Sequence, residues 1–158
     1  MKKTVLALAI AATTACAGVA QADVKVGFLG GFTGGIESLT PPIFDGAKLA
    51  VAEINEQGGL LDGEDMVMPS GDTTCSDASA ASNAADRLVN SEKVTAIVGA
   101  LCTGATIAAA NNAAIPGGVV MVSPASTAPA VTDLDDNDLV FRTVPSDAFQ
   151  GVQLAKLL

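Results

Sequence analysis

Short apolar runs alternate with stretches of helical periodicity throughout the chain after residue 22. The runs predict β-strands at 24–29, 94–98 and 119–122, a short strand at 65–68 and a further one at 139–143. The periodic stretches predict helices from Pro41 or Pro42 to Gly58, from the cap residue Asp77 to Val89, from just after Cys102 to about Ala114, and over 147–158. This β-α-β-α-β-α-β order indicates an α/β fold, in which a parallel sheet carries helices on both faces.

Two of the predicted helices have clear boundaries and a clear apolar face. Proline is tolerated in a first helical turn and Gly58 favours a helix end, so the first helix should lie between them. Its apolar positions are Ile43, Ala47, Ala50, Val51 and Ile54. Asp77 is suited to cap the second helix, because its carboxylate can accept from the free N–H groups of the first turn. The apolar positions of that helix are Ala81, Ala84, Ala85, Leu88 and Val89.

The first 22 residues have the layout of a secretory signal peptide. Lys2 and Lys3 give a basic start, an apolar stretch follows over 5–12, and Ala20-Gln21-Ala22 fits an A-x-A cleavage site. The apolar stretch is too short to span a bilayer core of roughly 30 Å. We therefore expect export, with cleavage after Ala22 and a mature chain that begins at Asp23.

The cysteines refine this expectation. Cys16 raises the alternative of a lipoprotein signal, but Thr13 stands where such signals usually carry Leu, so we expect a soluble mature protein. Cys75 and Cys102 remain after cleavage, and an oxidising compartment allows a disulfide between them to persist. Two cysteines allow one pairing, and a disulfide explains them better than a zinc site does.

Charge and composition exclude several classes of function. Without Lys2 and Lys3 the chain has 6 basic and 17 acidic residues, a net charge of −11, which disfavours nucleic acid or an anionic membrane surface as a partner. The chain has no His, so Ser123 and Ser126 lack the usual general base and catalysis is not expected. A lone acid in the first loop, Glu37, is more typical of a ligand contact or a surface charge.

Two loops resemble cofactor or metal motifs only in part. The run GGFTGG at 30–35 lacks the Gly-Lys-Ser/Thr ending of a P-loop and does not fit G-x-G-x-x-G. In the acidic run 133–138, Asp138 stands where an EF-hand has Gly, and Val144 stands where it has Glu. We therefore expect neither a cofactor nor a metal.

Three loops rich in Gly, Ser and Thr should meet at the carboxyl edge of the sheet, where ligands of such folds bind. They are residues 30–39, 101–106 and 123–132. Thr103 stands at the start of the third helix, and a helix N-terminus favours an anion such as a carboxylate. From spacing alone two roles stay open: Thr103 binds a ligand, or it caps its own helix.

Six segments, in order, resemble one known family. They are VKVGFLGGFTG, GAKLAVAEINEQGGL, DTTCSDASAASNAADRLV, VTAIVGALCTGAT, VVMVSPASTAPAVT and FRTVPSDAFQG. With them the chain resembles the N-terminal lobe of the periplasmic Leu/Ile/Val-binding proteins of ABC transporters. The resemblance implies a Rossmann-like lobe at 23–158 of a two-lobed, type I periplasmic binding protein, with the family's lobe disulfide on Cys75 and Cys102. The abrupt stop at Ala-Lys-Leu-Leu, inside a predicted helix, leads us to expect a truncated lobe.

The resemblance also implies a role for several loop residues. Thr103, with the N–H of Gly104, would bind the carboxylate of the ligand. The backbone carbonyl of Ala125 would accept from the ligand ammonium, and Thr127 would contact either group. Leu39, beside Ser38, stands near a position where the family often has an aromatic residue, which leaves the side-chain specificity open between leucine and a polar, amide-like or cationic ligand.

The function that this resemblance implies is an exported solute-binding receptor of an ABC importer. It would bind an amino acid, branched-chain or related, between two lobes in the periplasm and deliver it to permease subunits in the inner membrane. An alternative is the ligand-binding ectodomain of a sensor for amino acids or short amides. A second alternative, an α/β hydrolase, needs a His and an acid in the part of the protein that we expect to be missing.

Overall fold

Six strands form one parallel sheet in the part of the chain that the computed structural model describes, residues 23–61 and 63–157. They are β1 Val24–Gly30, β2 Met66–Val67, β3 Ser70–Asp72, β4 Ala96–Val98, β5 Val120–Ser123 and β6 Val140–Arg142. Their order is β2–β1–β4–β5–β6, with β3 on the same side of β1 as β2, and all pairings are parallel. The predicted parallel α/β fold is confirmed. The predicted signal peptide, its cleavage site and Cys16 lie outside the described residues.

The helices follow the strands in the expected alternation. They are α1 Thr40–Glu56, α2 Ala78–Asp86, α3 Thr103–Ala109, α4 Ile115–Gly117 and α5 Asp147–Leu157, with π-helical turns at Arg87–Ser91 and Ala110–Ala114 and a short 3-10 helix at Pro129–Val131. The helical run after Cys102 therefore ends three residues beyond the predicted Ala114. None of the helices in the described ranges is long and apolar enough to cross a membrane.

Two strands are present where the sequence predicts a single one. The expected strand at 65–68 is present as β2, but β3 follows it after Pro69 and pairs with the last residues of β1. Its sequence, Ser-Gly-Asp, has no apolar pattern, and the pairing with Phe28, Leu29 and Gly30 is what makes it a strand. Gly71 suits this place because a Cβ there would lie 3.0 Å from the Cβ of Ala84 on α2.

The main core lies between the sheet and the helices α2 and α3. Leu29, Ile97 and Met121 point to this side from three neighbouring strands and are at most 1% exposed. The predicted face of the second helix covers them: Ala81 and Ala85 on α2 and Leu88 and Val89 on the π-helical turn after it are buried, and Ala84 packs against their cluster. Asp77 caps α2 as expected, by accepting from the N–H groups of Ser79 and Ala80 at 2.8 and 3.2 Å.

The opposite face of the sheet carries α1. Phe28 of β1 packs on Phe44 of α1, with ring centroids 4.6 Å apart. The helix ends at Gly58 and Gly59 as predicted, and both have a positive φ. Its predicted apolar face is only half-buried, and the expectation for Ala50 is wrong, because this residue is exposed. The physical reason is that α1 packs mainly on β1 and β2, at one side of the sheet.

Candidate functional site

A disulfide crosses the carboxyl end of β1. Cys75, in the loop after β3, is bonded to Cys102, in the loop after β4, with their Cα atoms 5.4 Å apart. Since β3 and β4 pair with opposite sides of β1, the bond joins two loops across the exit of the strand between them. A Cβ on Gly31 would lie 3.6 Å from the Cβ of Cys75, so the first residue after β1 packs against the bridge. The chain adds β2 and β3 on one side of β1 and β4, β5 and β6 on the other, so the strand order reverses between β1 and β4. Open α/β sheets bind ligands at such a switch point.

Asp72 organises the glycine-rich loop that follows β1. Its carboxylate accepts from the N–H groups of Phe32 and Thr74, both at 2.9 Å, and from the hydroxyl and N–H of Thr33. Burial alone would raise the pKa of Asp72, but these hydrogen bonds, led by the Thr33 hydroxyl, outweigh it and lower the pKa below its ordinary value. Sequence reasoning missed Asp72 because the loop that it holds, at Phe32 and Thr33, is 39 to 40 residues away along the chain.

Thr103 is the first residue of α3, and Cys102 occupies the N-cap position without a side-chain hydrogen bond to the helix. The Thr103 hydroxyl accepts a long hydrogen bond of 3.5 Å from the N–H of Ala128. No acceptor within residues 23–61 and 63–157 meets this hydroxyl or the N–H groups of Thr103 and Gly104. A Cβ on Gly104 would meet no atom within 4 Å. Thr103 therefore does not cap its own helix, and it keeps donors beside open space.

A buried network of hydroxyl groups holds the loop at 124–128 against α3. Ser123 donates to the Ala100 carbonyl at 2.6 Å and accepts from the N–H of Ser126 at 3.0 Å. The hydroxyls of Ser126 and Thr106 lie 2.7 Å apart. Because Ser123, Ser126 and Thr106 are at most 1% exposed, none can reach a substrate. The network therefore positions the loop. Ser123 and Ser126, the two serines that a hydrolase would use, are buried in this network.

Ala125 and Thr127 lie on that loop, and some of their hydrogen-bonding groups already have partners within the chain. The N–H of Ala125 turns inward to Ser123 at 3.4 Å, while its carbonyl accepts from no donor in the described part of the chain. Thr127 is tied to the segment after β6. Its hydroxyl donates to Asp147 at 3.0 Å, and its carbonyl accepts from the N–H of Asp147 at 2.9 Å and from Arg142 at 3.2 Å. Sequence reasoning gave no role to Arg142 or Asp147.

Ser38 and Leu39 are less closely connected to the candidate site than the 124–128 loop is. That loop contacts Thr103 through the N–H of Ala128. Ser38 and Leu39 are both exposed and lie at the end of the loop that follows β1. The strand β1 is the neighbour of β4, which precedes Thr103. Ser38 and Leu39 share the carboxyl edge of the sheet with Thr103, although no hydrogen bond between described residues connects them to it. Their predicted part in binding stays a prediction.

The acidic run at 133–138 has a structural role. The Asp136 carboxylate accepts from the N–H groups of Asp138 and Val140, at 3.0 and 2.9 Å, and so holds the turn that leads into β6. Within the described ranges, no three Cys, Asp or Glu side chains are grouped in a way that would hold a metal ion.

Two open clefts lie beside the start of α5. The larger, of about 760 Å³, is mostly apolar and is lined by residues such as Pro129, Arg142 and Phe149. The smaller, of about 490 Å³, is lined by Thr127, Asp147 and Phe149, among others. Neither includes Thr103. We place the candidate site at the polar loops rather than in the larger cleft, because these loops carry unpaired backbone N–H and C=O groups that can fix the orientation of a ligand.

A family model described as periplasmic binding protein matches residues 23–158. The chain belongs to the periplasmic binding protein family. It is 34% identical to an amino acid binding protein of Pseudomonas aeruginosa over 96% of this chain and 39% of that protein. It is 35% identical to a Leu/Ile/Val-binding protein of Citrobacter freundii over 86% of this chain and 36% of that protein.

A solved structure of the same family supports this assignment. The branched-chain amino acid transporter substrate binding protein of Streptococcus pneumoniae, in complex with isoleucine, superposes with a TM-score of 0.72 at 33% identity. The match covers 80% of this chain and 35% of that one. The chain thus spans less than half the length of the periplasmic binding proteins to which it is similar.

Proposed function

We propose that the protein is the solute-binding receptor of an ABC importer and that its ligand is an α-amino acid, branched-chain or related. The observation that carries the proposal is the match to the periplasmic binding protein family over residues 23–158, with similar proteins named for amino acids or solved with isoleucine. The receptor performs no bond chemistry. It is exported to the periplasm with cleavage after Ala22, and it hands its ligand to permease subunits.

The geometry of the carboxyl edge supports an α-amino acid. Thr103 and Gly104 offer free donors, which suit a carboxylate, and the Ala125 carbonyl is a free acceptor, which suits an ammonium group. The two kinds of group lie on loops that meet where Ala128 contacts Thr103. Residues 23–158 supply one lobe, and a second lobe closes on the bound ligand, because the ligand contacts both lobes only in the closed form.

Isothermal titration calorimetry on the intact gene product tests the proposal. Leucine, isoleucine and valine are titrated beside short amides and the carboxylic acids of the same carbon skeleton. We expect saturable heat with at least one of the three amino acids and much weaker binding of the amides and acids. The absence of heat with every amino acid would overturn the proposal. Tight binding of an acid or an amide alone would require a different ligand class.

A further inference from the structure

The hydroxyl of Thr127 has a fixed direction of hydrogen bonding. Its Oγ1 lies 3.0 Å from Oδ2 of Asp147, the first residue of α5. An ionised carboxylate has only acceptor oxygens, so the Thr127 hydroxyl must donate its single proton to Asp147. What remains on Oγ1 for a ligand is lone-pair density, which can accept a hydrogen bond but cannot donate one.

The carbonyl of Thr127 is already saturated. It accepts from the N–H of Asp147 at 2.9 Å and from Nη1 of Arg142 at 3.2 Å, and a carbonyl oxygen has two lone pairs. Arg142 is itself held in place, because it also donates to the Ala128 carbonyl at 2.9 Å and to the Thr132 hydroxyl. The backbone N–H of Thr127 is left without an acceptor in the described part of the chain.

Thr127 therefore presents one acceptor, its Oγ1, and one donor, its N–H. The free carbonyl of Ala125 adds a second acceptor on the same loop. Thr127 and Asp147 also line the cleft of about 490 Å³, so space lies beside the pair. A ligand group that meets Oγ1 of Thr127 must be a donor, and the donor of an α-amino acid is its ammonium group.

We propose that Asp147 is a positioning residue that makes Thr127 an acceptor for the ligand ammonium, and thereby selects α-amino acids over analogues without that group. The inference rests on the proposed function and deepens it, because it assigns the ammonium to Oγ1 of Thr127 and the carboxylate to the donors around Thr103. Asp147 acts through Thr127 and does not touch the ligand in this lobe.

The test compares leucine with 2-hydroxy-4-methylpentanoate, in which a hydroxyl replaces the ammonium, in calorimetry on the intact protein. In Asp147→Asn the acceptor-only carboxylate becomes an amide, whose NH2 can donate to Oγ1 of Thr127 and occupy the lone pairs that an ammonium needs. The Thr127 hydroxyl is then no longer fixed as an acceptor for the ligand. Leucine should bind about fivefold to tenfold more weakly. The hydroxy acid should change less than about twofold, because its hydroxyl can donate or accept.

Two controls separate this mechanism from a general effect of charge or folding. Asp135→Asn removes the same charge from an exposed side chain that has no hydrogen bond in the described structure, and it should leave both affinities unchanged. Asp147→Glu keeps an acceptor-only carboxylate and should lose less leucine affinity than Asp147→Asn. Thermal unfolding by circular dichroism checks that each variant is folded.

A double-mutant cycle with Thr127→Val decides whether Asp147 acts through Thr127. In the Thr127→Val background, Asp147→Asn should weaken leucine binding by no more than about twofold, since the hydroxyl that transmits its effect is gone. An equal effect in both backgrounds, or an equal loss of leucine and hydroxy acid, would overturn the inference while the receptor function stands. A wild-type protein that binds no amino acid would overturn the receptor function as well.

Discussion

The bond between Cys75 and Cys102 offers the clearest quantitative prediction. The two residues are separated by 27 positions, and closing a loop of that length in the unfolded chain removes conformational entropy. The chain-entropy relation gives about 3.5 kcal/mol of stabilisation at 25 °C for this separation. The double variant Cys75→Ala/Cys102→Ala should therefore lose about 3.5 kcal/mol of unfolding free energy.

The assay is urea unfolding at neutral pH, with the wild-type protein under a reducing agent as a matched control for the variant. The two should agree, because both lack the bond. Since Gly31 packs beside Cys75, hydrogen exchange at residues 31–36 should also become faster than in the oxidised protein. A loss of less than about 1 kcal/mol would refute the argument from loop closure. Unchanged exchange at 31–36 would refute the claim that the bond holds the first loop.

Three further predictions follow from the loops at the carboxyl edge. Thr103→Val should weaken amino acid binding by roughly 1–3 kcal/mol in calorimetry, because the carboxylate loses a donor; unchanged affinity would leave Thr103 without a binding role. Asp72→Asn should lower the melting temperature at pH 7. The pKa of Asp72 is lowered in the folded state, so its stabilising effect is present above its ordinary pKa and is lost as the pH falls through the folded value. The two melting temperatures should therefore converge as the pH falls below the ordinary pKa of an aspartate, and a constant gap would contradict this. Ser126→Ala should cost about 1–2 kcal/mol in urea unfolding, because Thr106 loses a buried partner, whereas the exposed control Ser79→Ala should cost nothing measurable.

The fold could be predicted from the sequence wherever local pattern and final environment agree. The strands at 24–29 and 119–122 are apolar runs that end up inside a sheet, and the face of α2 repeats at the helical period because it covers that sheet. Ser70 to Asp72 could not be predicted, since their strand conformation comes from pairing with β1. Ala50 fits the helical pattern, yet it is exposed because α1 lies at one side of the sheet.

The candidate site could be predicted less completely. Thr103 was identifiable because Cys102 and the glycine after Thr103 mark a junction of strand and helix. The roles of Asp72, Arg142 and Asp147 depend mainly on partners between 14 and 40 residues away in sequence, and no local spacing reveals such pairs. The position of the disulfide across β1 likewise depends on the order of the strands, which the chain order alone does not give.

The rim formed by Thr103, Gly104 and Thr127 should be half of an amino acid site. Amide NMR spectra of the intact protein, recorded during a leucine titration, would locate this site on the chain. We expect the largest saturable shifts from the N–H groups of these three residues and of their loop neighbours. Shifts centred elsewhere, for example on the apolar cleft at Pro129 and Phe149 with these three amides unmoved, would contradict it.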